Sequence, residues 1–127
     1  RWITLEYETK TVMISVNPEL FSRLLVNLVS NAYRYGRENG HIRVRLWQED
    51  SSLVLSVADD GIGIARNEQE KIFRRFYQAD ASRGGEGTGL GLAMVYEIAR
   101  FYHGTVTVES VVDQGSTFVV RMPAGQS

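Results

Sequence analysis

The chain has 127 residues, a net charge of −1 and no cysteine. That is one domain's length with room for a core, and it excludes a disulfide framework and a thiolate zinc site. The near-zero charge excludes nucleic-acid binding through bulk electrostatics, and no apolar run approaches the roughly 20 residues that span a bilayer. The chain opens on Arg1-Trp2, without an initiator methionine or a signal peptide, directly into a strand-like pattern, so an excerpt of a longer protein is expected.

In chain order, Ile3 to Glu8 and Thr11 to Ser15 read as a short hairpin bent at Glu8-Thr9-Lys10. Asn17-Pro18-Glu19 is a helix start: Asn17 caps, Pro18 suits the first helical position and Glu19 faces the positive end of the dipole. This helix is expected to run to about Tyr35 and to stop at Gly36. His41 to Gln48 and Leu53 to Ala58 alternate as paired strands around the turn 49–52. Glu68 to Phe76 reads as a short helix and Tyr77 to Gly87 as a mobile loop. A second long helix, capped by Thr88, runs to Phe101, and Thr105 to Ser110 and Ser116 to Met122 close the chain as strands. Strands and helices in mixed order with hairpins predict an α/β (α+β) two-layer sandwich, with helices on one face of a mixed, largely antiparallel β-sheet.

Three elements carry candidate chemistry. On the first helix, Phe21, Leu24, Leu25, Leu28 and Ala32 form an apolar stripe, and beside it Asn27, Asn31, Arg34 and Tyr35 fall within about 100° of arc. Alone, two asparagines one turn apart are better read as a solvated face. The functional alternative is a pair of neutral oxygen donors for a magnesium–phosphate group, since magnesium keeps several waters and takes few protein ligands. The second element is Val57-Ala58-Asp59-Asp60-Gly61-Ile62-Gly63-Ile64. A carboxylate at a strand end beside Gly-x-Gly offers an acceptor that selects a base bearing an amino group, such as adenine, and rejects guanine. A plain turn after a strand accounts for the same residues equally well. The third is Gly84 to Ala93, with five glycines between 84 and 91 running into a helix, where free N–H groups and the dipole attract phosphate. It lacks the Walker lysine pattern and fails Gly-x-Gly-x-x-Gly in every frame.

Together these elements resemble the catalytic domain of two-component sensor histidine kinases, within the gyrase, heat-shock chaperone, kinase and mismatch-repair ATPase superfamily. Asn27-Leu-Val-Ser-Asn31-Ala-Tyr-Arg34-Tyr35 is similar to its asparagine box and Asp59-Asp60-Gly61-Ile62-Gly63-Ile64 to its first glycine box. Lys71 to Tyr77 resembles the phenylalanine box, and Gly87-Thr88-Gly89-Leu90-Gly91-Leu92 the second glycine box. The resemblance covers nearly the whole chain and implies a Bergerat ATP-binding fold with a mobile ATP lid over Tyr77 to Gly87. It implies ATP and Mg2+ as ligands, with Asn27 on the metal, Asn31 against the phosphates, Arg34 neutralising phosphate charge and Tyr35 over the base or sugar. Asp59 takes the adenine amino group, Gly63 gives the base room, and Thr117 or Ser116 reaches the adenine through water.

Two positions depart from the family pattern. Gln78 stands where an arginine often reaches the terminal phosphate, leaving Arg74, Arg75 or Arg83 as substitutes, and Asn17 replaces a common aspartate at an equivalent cap. In hydrolytic members a glutamate occupies the place of Asn27. An amide is no general base, so phosphoryl transfer is expected rather than hydrolysis. The implied acceptor is a histidine on an adjoining dimerisation domain, with a response regulator downstream. His41 and His103 are expected to be structural or surface residues. Alternatives are an anti-sigma-factor-type serine kinase and a nucleotide-binding sensor or scaffold without transfer. A cytoplasmic monomer without nucleic-acid or direct membrane contact is expected. The aromatics Trp2, Trp47, Phe73, Phe76, Tyr96 and Phe101 are expected to serve core or lid packing.

Overall fold

The computed structural model describes residues 3–9, 15–74 and 91–123. Strand β1 (Ile3–Thr9) precedes helix α1 (Pro18–Tyr35), followed by β2 (Gly40–Glu49) and β3 (Ser52–Asp59). A 3-10 turn (Arg66–Glu68) follows, then helix α2 (Gly91–Phe101), β4 (Thr105–Val111) and β5 (Gly115–Pro123). The sheet order is β1-β2-β3-β5-β4, with β1 parallel to β2 and every other pair antiparallel.

Helix α1 starts where the sequence predicts. Asn17 Oδ1 accepts from the backbone N–H of Glu19 at 2.8 Å and of Leu20 at 3.1 Å, satisfying two donors the helix cannot use itself. Its end differs in mechanism. Gly36 is extended (φ −75°, ψ 170°) rather than left-handed. A Cβ there would lie 2.9 Å from Ala32 O and 3.1 Å from Ile3 Cδ1, so this glycine lets β1 approach the helix end. Helix α2 closes on His103, which holds φ 62° while Gly104 N–H donates to Ala99 O at 2.7 Å.

The apolar stripe of α1 (Leu24, Leu28, Ala32) and Val95, Ile98 and Ala99 of α2 pack on one sheet face. They meet Ile42 and Val44 of β2, Leu53, Leu55 and Val57 of β3, and Phe118, Val120 and Met122 of β5. Each fully buried aliphatic side chain stabilises the fold by about 1.5–3 kcal/mol relative to exposure. Phe73 joins this layer edge-on to Phe118, with ring centroids 6.1 Å apart. On the opposite face Val54 is also fully buried, flanked in the sheet by Trp47 and Arg121. Those long side chains are held by an Arg45–Trp47 cation–π contact of 4.9 Å and an Arg121–Glu49 ion pair of 2.8 Å.

Three expectations require correction. β1 continues through Glu8 and Thr9, where the bend was expected, and its neighbour among the described residues is the parallel β2. Ser15 is outside any strand, and residues 10–14 lie outside the described residues. The pairing sets Glu6 against Arg43 at 3.3 Å and Glu8 against Arg45 at 3.2 Å, charge complements that lie far apart in sequence. The short helix expected at Glu68 to Phe76 is, up to Arg74, a series of three-residue turns. Lys71 N–H bonds Glu68 O at 2.9 Å and Arg74 N–H bonds Lys71 O at 3.0 Å, so the tighter 3-10 spacing prevails. Phe101 packs little: it is 68% exposed, and Tyr96 is 41% exposed despite its contact with Phe73 at 6.2 Å. Trp2, Phe76 and the segment Tyr77 to Leu90, which contains the expected lid, lie outside the described residues.

Candidate nucleotide-binding site

The polar stripe of α1 sits at the border of the helical layer. Asn27, Asn31, Arg34 and Tyr35 are all half-buried, whereas Val26, Ser30 and Tyr33 are exposed. The stripe is therefore not a fully solvated face. Its first member stands against the start of α2: a Cβ built on Gly91 would lie 3.5 Å from Asn27 Oδ1. That contact brings the positive end of the α2 dipole next to the Asn27 amide. Leu92 is partly buried against the core. At the other end of the stripe, Arg34 Cζ lies 6.0 Å from the Tyr35 ring centroid, and the Tyr35 carbonyl accepts from Ile62 N–H at 3.1 Å.

That last bond fastens the loop of the second element to α1. Asp59 ends β3, and its Oδ1 accepts from Gly61 N–H at 2.9 Å. Burial pushes the Asp59 carboxyl up from its ordinary value, against the lowering effect of hydrogen bonds from the Gly61 and Ser116 backbones. The adjacent Asp60 turns elsewhere, accepting from His41 N–H at 2.9 Å and lying 3.3 Å from His41 Nδ1. Partial desolvation raises Asp60, but the His41 hydrogen bonds outweigh it and hold the carboxyl below its ordinary value. One carboxylate of the Asp-Asp pair thus faces the helical layer and the other binds the histidine at the edge of β2.

Glycine is required in this loop by close backbone approach. A Cβ on Gly61 would lie 2.0 Å from Tyr35 O, and one on Gly63, at φ 74°, would lie 2.2 Å from Val111 O. Gly63 thus makes room for the turn between β4 and β5. Ile64 N–H donates to Ser110 Oγ at 2.7 Å. With its single proton donated to Gly115 O at 2.9 Å, Ser110 Oγ accepts from Ser116 Oγ at 2.8 Å. Gln69 reinforces the link, donating to Ile64 O at 2.9 Å and to Ser110 O at 3.1 Å.

The sheet register separates the two hydroxyls that the sequence leaves open. Ser116 is paired with Asp59 and shares its face, while Thr117 is paired with Ala58 and points to the opposite face. Ser116 is the hydroxyl beside the carboxylate. The structure therefore brings together Asn27 with Gly91, and Tyr35 with Gly61, Gly63, Ile64 and Asp59, while Gly87, Thr88, Gly89 and Leu90 lie outside the described residues. It also exposes residues that sequence reasoning passes over: Ser110, Gln69 and Arg37, whose guanidinium donates to Asp60 O at 2.6 Å. Each is polar and common in turns, so its type alone carries no signal.

Among the described residues no group of three or more His, Asp or Glu could hold a metal ion. A site built on one amide oxygen, with water and phosphate completing the shell, needs no such cluster and fits a hard, strongly hydrated cation such as magnesium. Among the described residues no helix is long and apolar enough to cross a membrane.

Comparison with known proteins agrees with this fold. The profile of the histidine kinase-, DNA gyrase B-, and HSP90-like ATPases matches residues 16–126. A circadian input-output histidine kinase of Synechococcus elongatus is 36% identical over 123 residues, covering 95% of this chain and 16% of that protein. The mycobacterial sensor histidine kinase MprB superposes with a TM-score of 0.88 at 25% identity, covering 98% of this chain and 86% of that one. Full-length ShkA, solved in complex with AMPPNP, superposes with a TM-score of 0.84 at 26% identity, covering 98% of this chain and 26% of that one. The chain spans 13% to 29% of the length of the curated relatives compared.

Proposed function

The chain belongs to the histidine kinase-, DNA gyrase B-, and HSP90-like ATPase family, and from that premise we propose that it binds Mg-ATP and donates the γ-phosphoryl group to a histidine of an adjoining dimerisation domain. The observation that carries this reading is the run of the polar stripe along α1. It begins at Asn27, against the N-terminal end of α2, and ends at Tyr35, bonded to the Asp59–Gly63 loop. The eight helical steps from Asn27 to Tyr35 span about 12 Å, a length suited to a base bound at one end and a phosphate tail at the other. The AMPPNP bound to ShkA supports a nucleoside triphosphate as ligand.

In this reading the Asp59 carboxylate accepts from the exocyclic amino group of adenine, with Ser116 beside it, and Tyr35 lies along the base or sugar. Asn31 and Arg34 face the phosphates, and Gly87 to Leu90, which precede α2 in sequence, are the candidate phosphate-binding residues. Asn27 would hold magnesium through its amide oxygen, where the ion neutralises phosphate charge. Asn27 has no useful basicity, so water is not activated and the phosphoryl group is kept for a better nucleophile, delivered by position and charge stabilisation. His41 and His103 are exposed, one tied to Asp60 and the other in a left-handed helix cap. Neither is the acceptor, so the chain acts as one catalytic domain of a longer protein, on the cytoplasmic side, with a response regulator downstream. The relatives are named histidine kinases, which favours this over serine transfer or nucleotide sensing alone.

The test is to incubate the chain with Mg-ATP labelled at the γ-position and a separately purified histidine-bearing dimerisation domain. Acid-labile label on the second domain, with none on this chain alone, is expected. Acid-stable label, or saturable ATP binding without transfer, refutes histidine-directed transfer.

A further inference from the structure

We propose that Arg37 is a positioning residue for the base end of the site, pinning the Asp59–Gly63 loop to the turn between β4 and β5 so that the pocket wall stands before nucleotide arrives. What the wall recognises rests on the nucleotide reading above; the pin does not. Arg37 is the second residue beyond α1. Its Nε donates to Asp60 O at 2.6 Å, and one terminal nitrogen reaches Gly61 O at 3.5 Å and also donates to Asp113 O. One exposed cation thus collects carbonyls from two segments that lie 23 to 76 residues away. Hydrogen bonds from an ionised donor are roughly twice as strong as neutral ones.

The turn needs this support. Asp113 holds φ 69°, a left-handed conformation that costs a non-glycine residue energy unless its surroundings fix it. Two groups of the residue are held: its N–H donates to Ile62 O at 2.7 Å and its carbonyl receives the Arg37 guanidinium. Because Val111 O stands where a Gly63 Cβ would be, any shift of the turn moves the floor under the loop. The loop in turn carries Gly61 N–H, which orients the Asp59 carboxylate. Arg37 acts through this chain of contacts. Lysine, a single point donor, cannot replace a fork that serves both segments.

The test uses Arg37→Ala and Arg37→Lys in this chain, with ADP titrated calorimetrically and amide hydrogen exchange followed at Gly61, Ile62 and Asp113. Arg37→Ala is expected to weaken ADP binding about tenfold, as loss of a charge-assisted bond implies. It should speed exchange at those amides with little change in the unliganded thermal midpoint, and millimolar guanidinium should restore both properties. Arg37→Lys should recover only part of either. ADP affinity within twofold of the parent in folded Arg37→Ala overturns the proposal, as does unchanged exchange at all three amides. A loss that guanidinium does not rescue and that tracks a lowered midpoint also overturns it, because general destabilisation then explains it. If the parent itself fails to bind ADP, the nucleotide reading fails and the exchange of the three amides decides the pin alone.

Discussion

Asp59→Asn separates binding from stability, and the structure gives the two effects opposite signs. The substituted side chain can still accept from Gly61 N–H through its carbonyl oxygen, so the local turn is retained. Toward the ligand, the amide can turn its NH2 to the adenine amino group, donor against donor. Losing a hydrogen bond to a charged group costs about 1.5–3 kcal/mol, which is about a 10- to 150-fold loss of ATP affinity at 1.36 kcal/mol per decade. Stability should move the other way. Burial raises the folded-state pKa of Asp59, so the folded chain holds this proton more tightly than the unfolded one. Stability therefore falls as pH rises from the unfolded pKa through the folded one, and above it the charged Asp59 is a standing penalty. A neutral amide removes that penalty, so at neutral pH the thermal midpoint should stay level or rise. The assay is calorimetric titration of Mg-ATP with GTP as control, paired with thermal unfolding of the unliganded protein. ATP affinity within threefold of the parent refutes the adenine role. Affinity and midpoint falling together would show that Asp59 is chiefly a structural residue of the loop.

Gly63→Ala should destabilise the fold by about 1–3 kcal/mol, because the left-handed conformation and the Val111 carbonyl both oppose a Cβ; urea unfolding reads this, and ADP affinity should fall with it. Asn17→Ala removes both cap hydrogen bonds of α1 and should cost about 1 kcal/mol by the same measurement, with nucleotide affinity little changed. Asp60, held below its ordinary pKa by His41, contributes stability that is present above its unfolded pKa and lost as pH falls through its folded one. His41→Ala keeps the backbone donor but removes the ring, so it should shift the acid-unfolding midpoint modestly to higher pH.

Most of the fold is legible because its signals are local. Asn17-Pro18 marks a helix start by side-chain chemistry, and the alternation in 41–48 and 53–58 marks strands that share a sheet. The turn series after Arg66 misleads because its apolar spacing, Ile72 and Phe73, suits a helix, whereas its N–H groups bond three residues back. The parallel partner of β1 is a contact between residues about 37 apart, and no periodicity encodes it. The candidate site shows the same division. Asn27, Asn31 and Asp59 announce themselves as residues of unusual type for their place, whereas Ser116 and Thr117 differ only in which face of β5 they occupy. That parity is fixed by pairing with β3, which sets Ser116 on the face of Asp59 and Thr117 on the other. Arg37 follows a helix end where a charge is unremarkable, and only the convergence of carbonyls reveals its work.

The end of the candidate site proposed to take the base is walled by main chain. Gly61 rests on Tyr35 O and Gly63 on Val111 O, with no side chain as spacer between the segments. A wall of this kind cannot be widened by trimming, because its residues are already the smallest available, nor narrowed by a larger residue without displacing a neighbouring segment. Point substitution therefore has almost no purchase on its dimensions. Ligand chemists seeking selectivity among proteins of this architecture should find little variation to exploit at this surface. Evolution, for its part, can reshape it only by changing the length of a loop.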